Sequence, residues 1–269
     1  FVQTVANRII DIQPDGSIRV IYSEFSAGIN HLKFVPITAG VFGASGTVDA
    51  GSGTEYLMAR GVISDASGTL WIAYRDVTAG DLHMISLDSG DTPGARQTLD
   101  TAGGSYLLGN GIVSTTLDSI IFPEGFGNGS SDTLPARFFE GTPISAPTWT
   151  THNLNTPASQ VFTQAICVVD CGSTVKFFWQ SSNNTFVTPP GPILTVEQVI
   201  YDGSTVGAQA TYWDVVDNPP AGASNLTLDG LSGFLNGSTL ELVATCVIDG
   251  SNNLSAVFLG GLLRINRMY

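Results

Sequence analysis

A strand pair that recurs about every 50 residues is the feature that most limits what this chain can fold into. The segment NRIIDIQPDGSIRVIYSE (7–24) aligns with ARGVISDASGTLWIAYRD (59–76) at a constant offset of 52 residues, so that Gly16 matches Gly68. Later segments repeat the pattern with Ser119, Thr174 and Thr239 at the position of Thr69. Each copy is two β-rich runs separated by a Gly- or Ser-containing turn, which predicts a pair of strands.

The repeat predicts an all-β fold, a five-bladed β-propeller of four-stranded antiparallel blades. Apolar residues lie on both faces of strands such as TLWIAYRD (69–76), which indicates sheets covered on both sides. Repeats of about 50 residues with four strands each are typical of propeller blades. We therefore expect one domain over 1–269, with blades at about 8–50, 58–100, 108–153, 163–216 and 229–269. Residues 1–5 are expected to pair with the last blade and close the ring.

Composition excludes several classes of partner. The net charge is −13 with only 10 Lys and Arg, so no basic surface for nucleic acid is expected. No stretch is apolar enough to span a bilayer, and we expect no membrane insertion. The three cysteines (Cys167, Cys171 and Cys246) and three histidines are too scattered for a zinc site, and we predict buried free thiols, no metal and no cofactor.

The blade geometry separates two edges of each sheet. Loops between second and third strands share an edge with the connections to the next blade, and we call this the loop-bearing edge. Its predicted loops are 24–31, 76–81, 125–132, 181–193 and 247–252. Tight turns at 14–16, 66–68 and 236–237 lie at the opposite edge and are expected to be structural. Binding is expected at the loop-bearing edge, because loops on a rigid scaffold are where binding residues concentrate.

Candidate site residues follow from this edge. Glu24, Asp76 and Glu124 lie near this edge and are the candidates for acid and base catalysis. Glu24 and Asp76 align between blades, and the alternative is that both merely end a strand at its solvent edge, so no catalytic residue is assigned. Candidate ligand-binding residues are Phe126 and Phe186, which could stack on a sugar ring, and Asp81. Asp11, Asp65 and Asp170, on or beside first strands, are either ligands or polar groups of the channel.

One turn carries a resemblance to a known superfamily. The segment SLDSGDT (86–92) resembles the Asp box of sialidase-like β-propellers, with Pro93 where the box has Trp. The resemblance implies a structural turn between third and fourth strands, on the side away from an active site. Sialidases of this kind hold a carboxylate with three arginines, and the arginines that could correspond are Arg8, Arg60, Arg75 and Arg137. Related five-bladed glycosidases use three carboxylates at the channel mouth as a base, an acid and a helper. By this resemblance, Glu24, Asp76 and Glu124 are the residues that could take these roles.

The leading functional hypothesis is a non-catalytic propeller module that binds a glycan or a protein. Its acidic, Ser-, Thr- and Gly-rich composition is typical of secreted modules and phage virion appendages, so an extracellular or virion-surface location is expected. A glycoside hydrolase is one alternative, since hydrolysis needs two carboxyl groups about 5 to 9.5 Å apart. A purely architectural subunit of a larger assembly is another.

Overall fold

The computed structural model describes residues 9–101, 106–108, 111–126, 137–154, 162–182, 194–215, 226–236, 239–248, 252–259 and 262–267. Every regular element in these ranges is a β-strand. Within the same ranges there is no helix with the length and hydropathy to cross a membrane. The chain divides into two compact units, Phe1–Gly104 and Ser105–Tyr269, and each is described by itself.

The first unit contains two antiparallel sheets. The first sheet has the order β1–β2–β3, and two short strands, β4 and β5, continue it by pairing successively with β3. The second sheet has the order β6–β7–β8–β9. Their bounds are β1 Ile9–Ile12, β2 Ile18–Ser26, β3 Ile29–Thr38, β4 Val41–Phe42, β5 Gly46–Asp49, β6 Leu57–Ser64, β7 Leu70–Asp76, β8 Leu82–Leu87 and β9 Gln97–Asp100.

The second unit contains three antiparallel sheets in the described residues. The first has the order β10–β12–β13–β14, with β11 also pairing with β12, and the others run β15–β16–β17–β18 and β19–β20–β21–β22. Their bounds are β10 Tyr106–Leu108, β11 Ile112–Ser114, β12 Ser119–Phe126, β13 Arg137–Thr142, β14 Thr148–Asn153, β15 Phe162–Asp170, β16 Val175–Ser182, β17 Leu194–Tyr201, β18 Ala210–Val215, β19 Leu226–Asn236, β20 Thr239–Ile248, β21 Asn252–Leu259 and β22 Leu262–Arg267.

The tight turns form as the repeat predicts, because aspartate and glycine supply the special geometry. In the 65–69 turn, Asp65 N donates to Thr69 O at 3.0 Å and Gly68 has φ +82°. Gly16 at the matching position has φ +80°. A non-glycine residue rarely adopts such a φ, so these two glycines fix where the first and second strands reverse.

Cores form where neighbouring sheets face one another within a unit. In the first unit, β6 packs on β1, β2 and β3, and the buried side chains include Ile21, Phe34 and Ile72. In the second unit, β15 packs on β12, and β19 packs on β15. The second unit's buried cluster includes Phe177 and the fully buried Trp179. First strands are thus neighbours where β6 packs on β1 and where β19 packs on β15, and β15 also contacts β10 and β11.

The prediction of an all-β fold built from four-stranded antiparallel sheets is confirmed. One loop differs from its prediction. The loop expected over 24–31 is a two-residue turn, because β2 continues to Ser26 and β3 begins at Ile29. Ala27 and Gly28 have φ +52° and +82°, the conformation that joins tightly twisted hairpin strands. The count of five blades and the single domain over 1–269 stay predictions.

Candidate binding site

Asp76 organises the loop-bearing edge of the first unit. Its buried carboxylate accepts hydrogen bonds from Tyr56 N at 3.0 Å and from Thr78 N at 2.9 Å. Its backbone N donates to Asp81 O at 2.9 Å. One side chain therefore ties the 76–81 loop to the connection between the first and second sheets. Asp76, a catalytic candidate in the sequence, lies here as a cap of backbone amides.

The connection at 50–56 is fixed by an ion-pair network. Arg96 donates to both oxygens of Glu55 at 2.7 and 3.1 Å and to Asp49 Oδ2 at 2.7 Å. Tyr74 Oη also donates to Asp49, and Glu55 accepts from Ser52 N at 2.6 Å. The hydrogen bonds from Arg96 lower the pKa of Glu55. The network therefore links the last strand of the first sheet to the second sheet.

Asn30 joins the first sheet to this connection. It is only 2% exposed, and its Oδ1 accepts from Leu57 N at 3.3 Å. Its Nδ2 is buried with no hydrogen-bond partner in the described part of the chain. Gly51, with φ +63°, passes so close that an added Cβ would lie 2.6 Å from Asn30 O. Leaving a buried donor unpaired costs about 1–3 kcal/mol.

Two exposed apolar side chains lie at the loop-bearing edge of the first unit and were not found from the sequence. Phe25 is 46% exposed and Val77 is 42% exposed. Phe25 lies directly opposite Asn30 in the β2–β3 hairpin, and Val77 N donates to Tyr56 O at 2.8 Å. The offset of 52 residues between Phe25 and Val77 places them at one repeat position, a signal that could have identified them.

The other two predicted catalytic carboxylates lie in ion pairs across their hairpins. In the first unit, Lys33 Nζ donates to Glu24 Oε1 at 2.9 Å. In the second unit, Arg137 Nε donates to the fully buried Glu124, with which it is paired in the β12–β13 register. The Arg137 guanidinium also lies 5.1 Å from the centre of the Phe139 ring. Both carboxylates are therefore engaged by a cation of the neighbouring strand, a lysine in one sheet and an arginine in the other.

The predicted ligand-binding residues are only partly described. Asp81 is half-buried at the end of the 76–81 loop, where its carbonyl accepts from Asp76 N. Phe126 is the last residue of β12, and its backbone pairs with Tyr106, but its side chain lies outside the described residues. Phe186 also lies outside them. Asp81 is thus the member of this set that lies in the same loop as Val77.

The aspartates of the first strands lie in local hydrogen-bonded arrangements. Asp65 accepts from Ser67 N at 2.9 Å and Thr69 N at 3.1 Å, and Asp170 accepts from Gly172 N at 2.9 Å. Asp11 contacts Ser64 and accepts from Gln13 Nε2 at 2.7 Å. Burial, against the effect of these hydrogen bonds, raises the pKa of Asp11. Asp65 and Asp170 therefore stabilise turns at the edge opposite the loops.

Of the arginines considered for a carboxylate site, two lie close together in the first unit. Arg75 is paired with Met58 in the β6–β7 register. Arg60 lies two residues further along β6, where the register shifts between Ala59 and Gly61 and leaves Arg60 without a paired residue in β7. Burial, with a smaller effect of the Arg75 charge, lowers the pKa of Arg60. Arg137 pairs with Glu124, and Arg8 lies outside the described residues.

The turn at 88–92 has the hydrogen bonds of a capped loop. Asp88 Oδ1 accepts from Gly90 N at 2.9 Å and Thr92 N at 2.7 Å. A second turn of this kind follows β17, where Asp202 Oδ1 accepts from Ser204 N at 2.9 Å and Thr205 N at 2.7 Å. These backbone hydrogen bonds lower the pKa of Asp202. The second turn was missed from sequence because YDGST (201–205) lacks the full motif.

The second unit also has a buried polar cluster centred on Glu140. Glu140 accepts from Ser119 Oγ at 2.6 Å and from Tyr201 Oη at 2.7 Å, and His152 Nε2 lies 3.0 Å from its Oε2. Phe138 stacks on His152 with ring centres 4.6 Å apart. The cluster joins two sheets of the unit, and the His152 side chain, 21% exposed, is its most accessible member. In the described ranges no group of three His, Cys, Asp or Glu side chains is placed to hold a metal ion.

Comparisons with known proteins define the fold and go no further. No protein-family model matches the chain, and no curated protein matches its sequence. Among solved structures it resembles a periplasmic gluconolactonase from Pseudomonas aeruginosa, with 11% identity, a TM-score of 0.58, and coverage of 96% of this chain and 71% of that one. It also resembles a sialidase from Streptococcus pneumoniae, with 8% identity, a TM-score of 0.57, and coverage of 97% and 60%.

A fucose-specific lectin from Aleuria aurantia is a third similar structure. It has 11% identity, a TM-score of 0.50, and coverage of 93% of this chain and 73% of that one. At such identities the likeness concerns architecture, because folds host many unrelated functions. The chain therefore resembles the sialidase-like β-propellers at the level of the fold, as the SLDSGDT turn predicts.

Proposed function

We propose that this chain is a β-propeller module that recognises a glycan at its loop-bearing edge without hydrolysing it. The observation that carries the proposal is the engagement of the three candidate carboxylates. Glu24 pairs with Lys33, Asp76 holds two backbone amides, and the buried Glu124 pairs with Arg137. Side chains committed to the scaffold in this way favour a binding surface over an acid–base pair.

The proposed architecture is a ring of five blades that forms one domain over 1–269. Support comes from the sheets of the described residues, which share one antiparallel strand order, and from the contacts between first strands within each unit. Residues 1–5, outside the described residues, are proposed to close the ring. The turn at 86–92 is proposed to be a structural Asp box, supported by the two amides that Asp88 caps.

A glycan is favoured over a protein as the partner. Sugar-directed proteins are among the structures that resemble this chain, including one whose name describes a fucose-specific lectin. The paired charges at the edge also leave a polar surface with isolated apolar side chains, which suits sugar rings with one apolar face. An extracellular or virion-surface location and membership of a larger assembly stay predictions from composition.

A glycan array followed by a hydrolysis assay tests the proposal. We expect the chain to retain oligosaccharides from the array and to leave them intact on long incubation. Glu24→Gln and Glu124→Gln should then alter thermal stability without creating or removing any turnover. Cleavage that Glu124→Gln abolishes, with an unchanged melting temperature, would establish the glycosidase alternative instead. If the chain bound none of the oligosaccharides on the array, the proposal of glycan recognition would be rejected.

A further inference from the structure

We infer that Phe25, Val77 and the polar groups between them form a subsite for the apolar face of an uncharged sugar ring. The subsite belongs to the proposed glycan-binding function and rests on it. It differs from the aromatic positions expected from sequence, Phe126 and Phe186, and it lies wholly within the first unit.

Hydrogen bonds bring the members of the subsite together from three segments of the chain. Phe25 faces Asn30 across the hairpin, and Asn30 Oδ1 accepts from Leu57 N at 3.3 Å. The backbone carbonyl of the preceding residue, Tyr56, accepts a hydrogen bond from Val77 N at 2.8 Å. Asp76 fixes this arrangement by capping Tyr56 N. The positions of both apolar side chains are thus set by the folded edge rather than by a free loop.

The apolar part of the subsite is the pair of exposed side chains. Phe25 is the next-to-last residue of β2 and Val77 follows the last residue of β7, and both keep nearly half of their surface in solvent. A pyranose ring presents C–H groups on one face and hydroxyls at its rim. An aromatic ring and a branched aliphatic side chain remove those C–H groups from water, as in the largely apolar walls of small-molecule sites.

The polar part of the subsite is a donor and an acceptor. Asn30 Nδ2 is a buried donor without a partner in the described residues. Asn30 lies directly opposite Phe25 in the hairpin register, and we expect side-chain motion, which is fast at exposed positions, to bring this amide within reach of a sugar hydroxyl. The Asp81 carboxylate lies at the end of the same loop as Val77 and is half-exposed, so it can accept from further hydroxyls.

The charges around the subsite favour an uncharged ligand. Asp76 caps backbone amides, Glu55 is held by Arg96, and Glu24 is paired with Lys33. Arg96 and Lys33 are thus already matched by carboxylates, while the chain carries a net charge of −13. A sialylated, sulfated or uronic-acid sugar would therefore be repelled, whereas a neutral ring meets no such cost.

The test uses the whole chain and a matched pair of phenylalanines. An array of neutral and anionic oligosaccharides identifies the strongest ligand, and titration calorimetry gives its Kd for wild type, Phe25→Ala and Phe42→Ala. Phe42 is 70% exposed in β4, at the opposite edge of the same sheet. We expect Phe25→Ala to weaken binding at least tenfold, about 1.4 kcal/mol, and Phe42→Ala to leave Kd unchanged.

Two further variants sharpen the result. Val77→Ser should weaken binding several-fold, and Val77→Trp should strengthen it, because a larger aromatic surface meets the ring. Wild-type binding that is equally strong in Phe25→Ala and Val77→Ser would overturn the subsite while leaving glycan recognition standing. A preference for anionic oligosaccharides would overturn the uncharged ligand class. If the wild-type chain bound no oligosaccharide, the proposed function itself would be rejected.

Discussion

Replacing Arg96 should destabilise the protein by about 2 kcal/mol. Arg96 makes two contacts with Glu55 and one with Asp49, and its guanidinium lies 6.0 Å from the centre of the Tyr74 ring. Hydrogen bonds to charged groups contribute about 1.5–3 kcal/mol when buried, whereas exposed ion pairs contribute about 0–1 kcal/mol. The Arg96 side chain is 28% exposed, so the value for Arg96→Gln should lie between these limits.

The loss should depend on pH in a direction fixed by the two carboxylates. The Arg96 hydrogen bonds lower the pKa of Glu55, and for Asp49 the hydrogen bonds from Arg96 and Tyr74 outweigh burial and also lower the pKa. Groups with a lowered folded pKa stabilise the protein above their unfolded values of 3.8 and 4.5. That stability is lost as the pH falls through the folded pKa values, so the difference between wild type and Arg96→Gln should shrink at pH 3.

Urea denaturation followed by tryptophan fluorescence measures this difference at pH 7 and pH 3. A change of about 2 kcal/mol corresponds to a fall in Tm of roughly 4–8 °C for a domain of about 150–250 residues. Lys33→Gln is the matched control, because Lys33 makes one contact with Glu24 and should cost no more than about 1 kcal/mol. Equal losses in both variants, or an undiminished Arg96→Gln effect at pH 3, would refute the reasoning.

Three further changes test other parts of the structure. Gly51→Ala should lower the free energy of unfolding by about 1–3 kcal/mol, because its φ is +63° and the new Cβ would meet Asn30 O; thermal melting measures this. Tyr201→Phe should cost about 1–2 kcal/mol in urea denaturation by removing the buried hydrogen bond to Glu140. Asp11→Asn should raise Tm at pH 7, since the raised pKa of Asp11 means that its ionised form costs stability, and the gain should vanish at acid pH as the aspartate protonates. A Tm lowered equally at both pH values would contradict this.

The strands and turns were predictable because their signals are local. Alternating apolar residues and the turn glycines at 16 and 68 specify where each hairpin begins and reverses, and these signals recur at a fixed spacing. The 24–31 segment was placed wrongly because Ala27–Gly28 is a short turn signal inside a run that continues as strand on both sides. Local patterns thus locate strands well and the ends of strands less well.

The roles of the site residues could not be predicted, because a role depends on a partner that the repeat does not specify. Glu24 and Asp76 share one repeat position, yet Glu24 binds a lysine and Asp76 binds two backbone amides, while Glu124, near the corresponding edge of its own sheet, binds an arginine. The repeat therefore encodes the place of a side chain and not its chemistry. Phe25 and Val77 illustrate the converse, since their shared position is visible in the sequence while their exposure is not. What makes the pair a candidate subsite is the buried Asn30 amide beside Phe25, a contact set by hairpin register and by the connection to the second sheet.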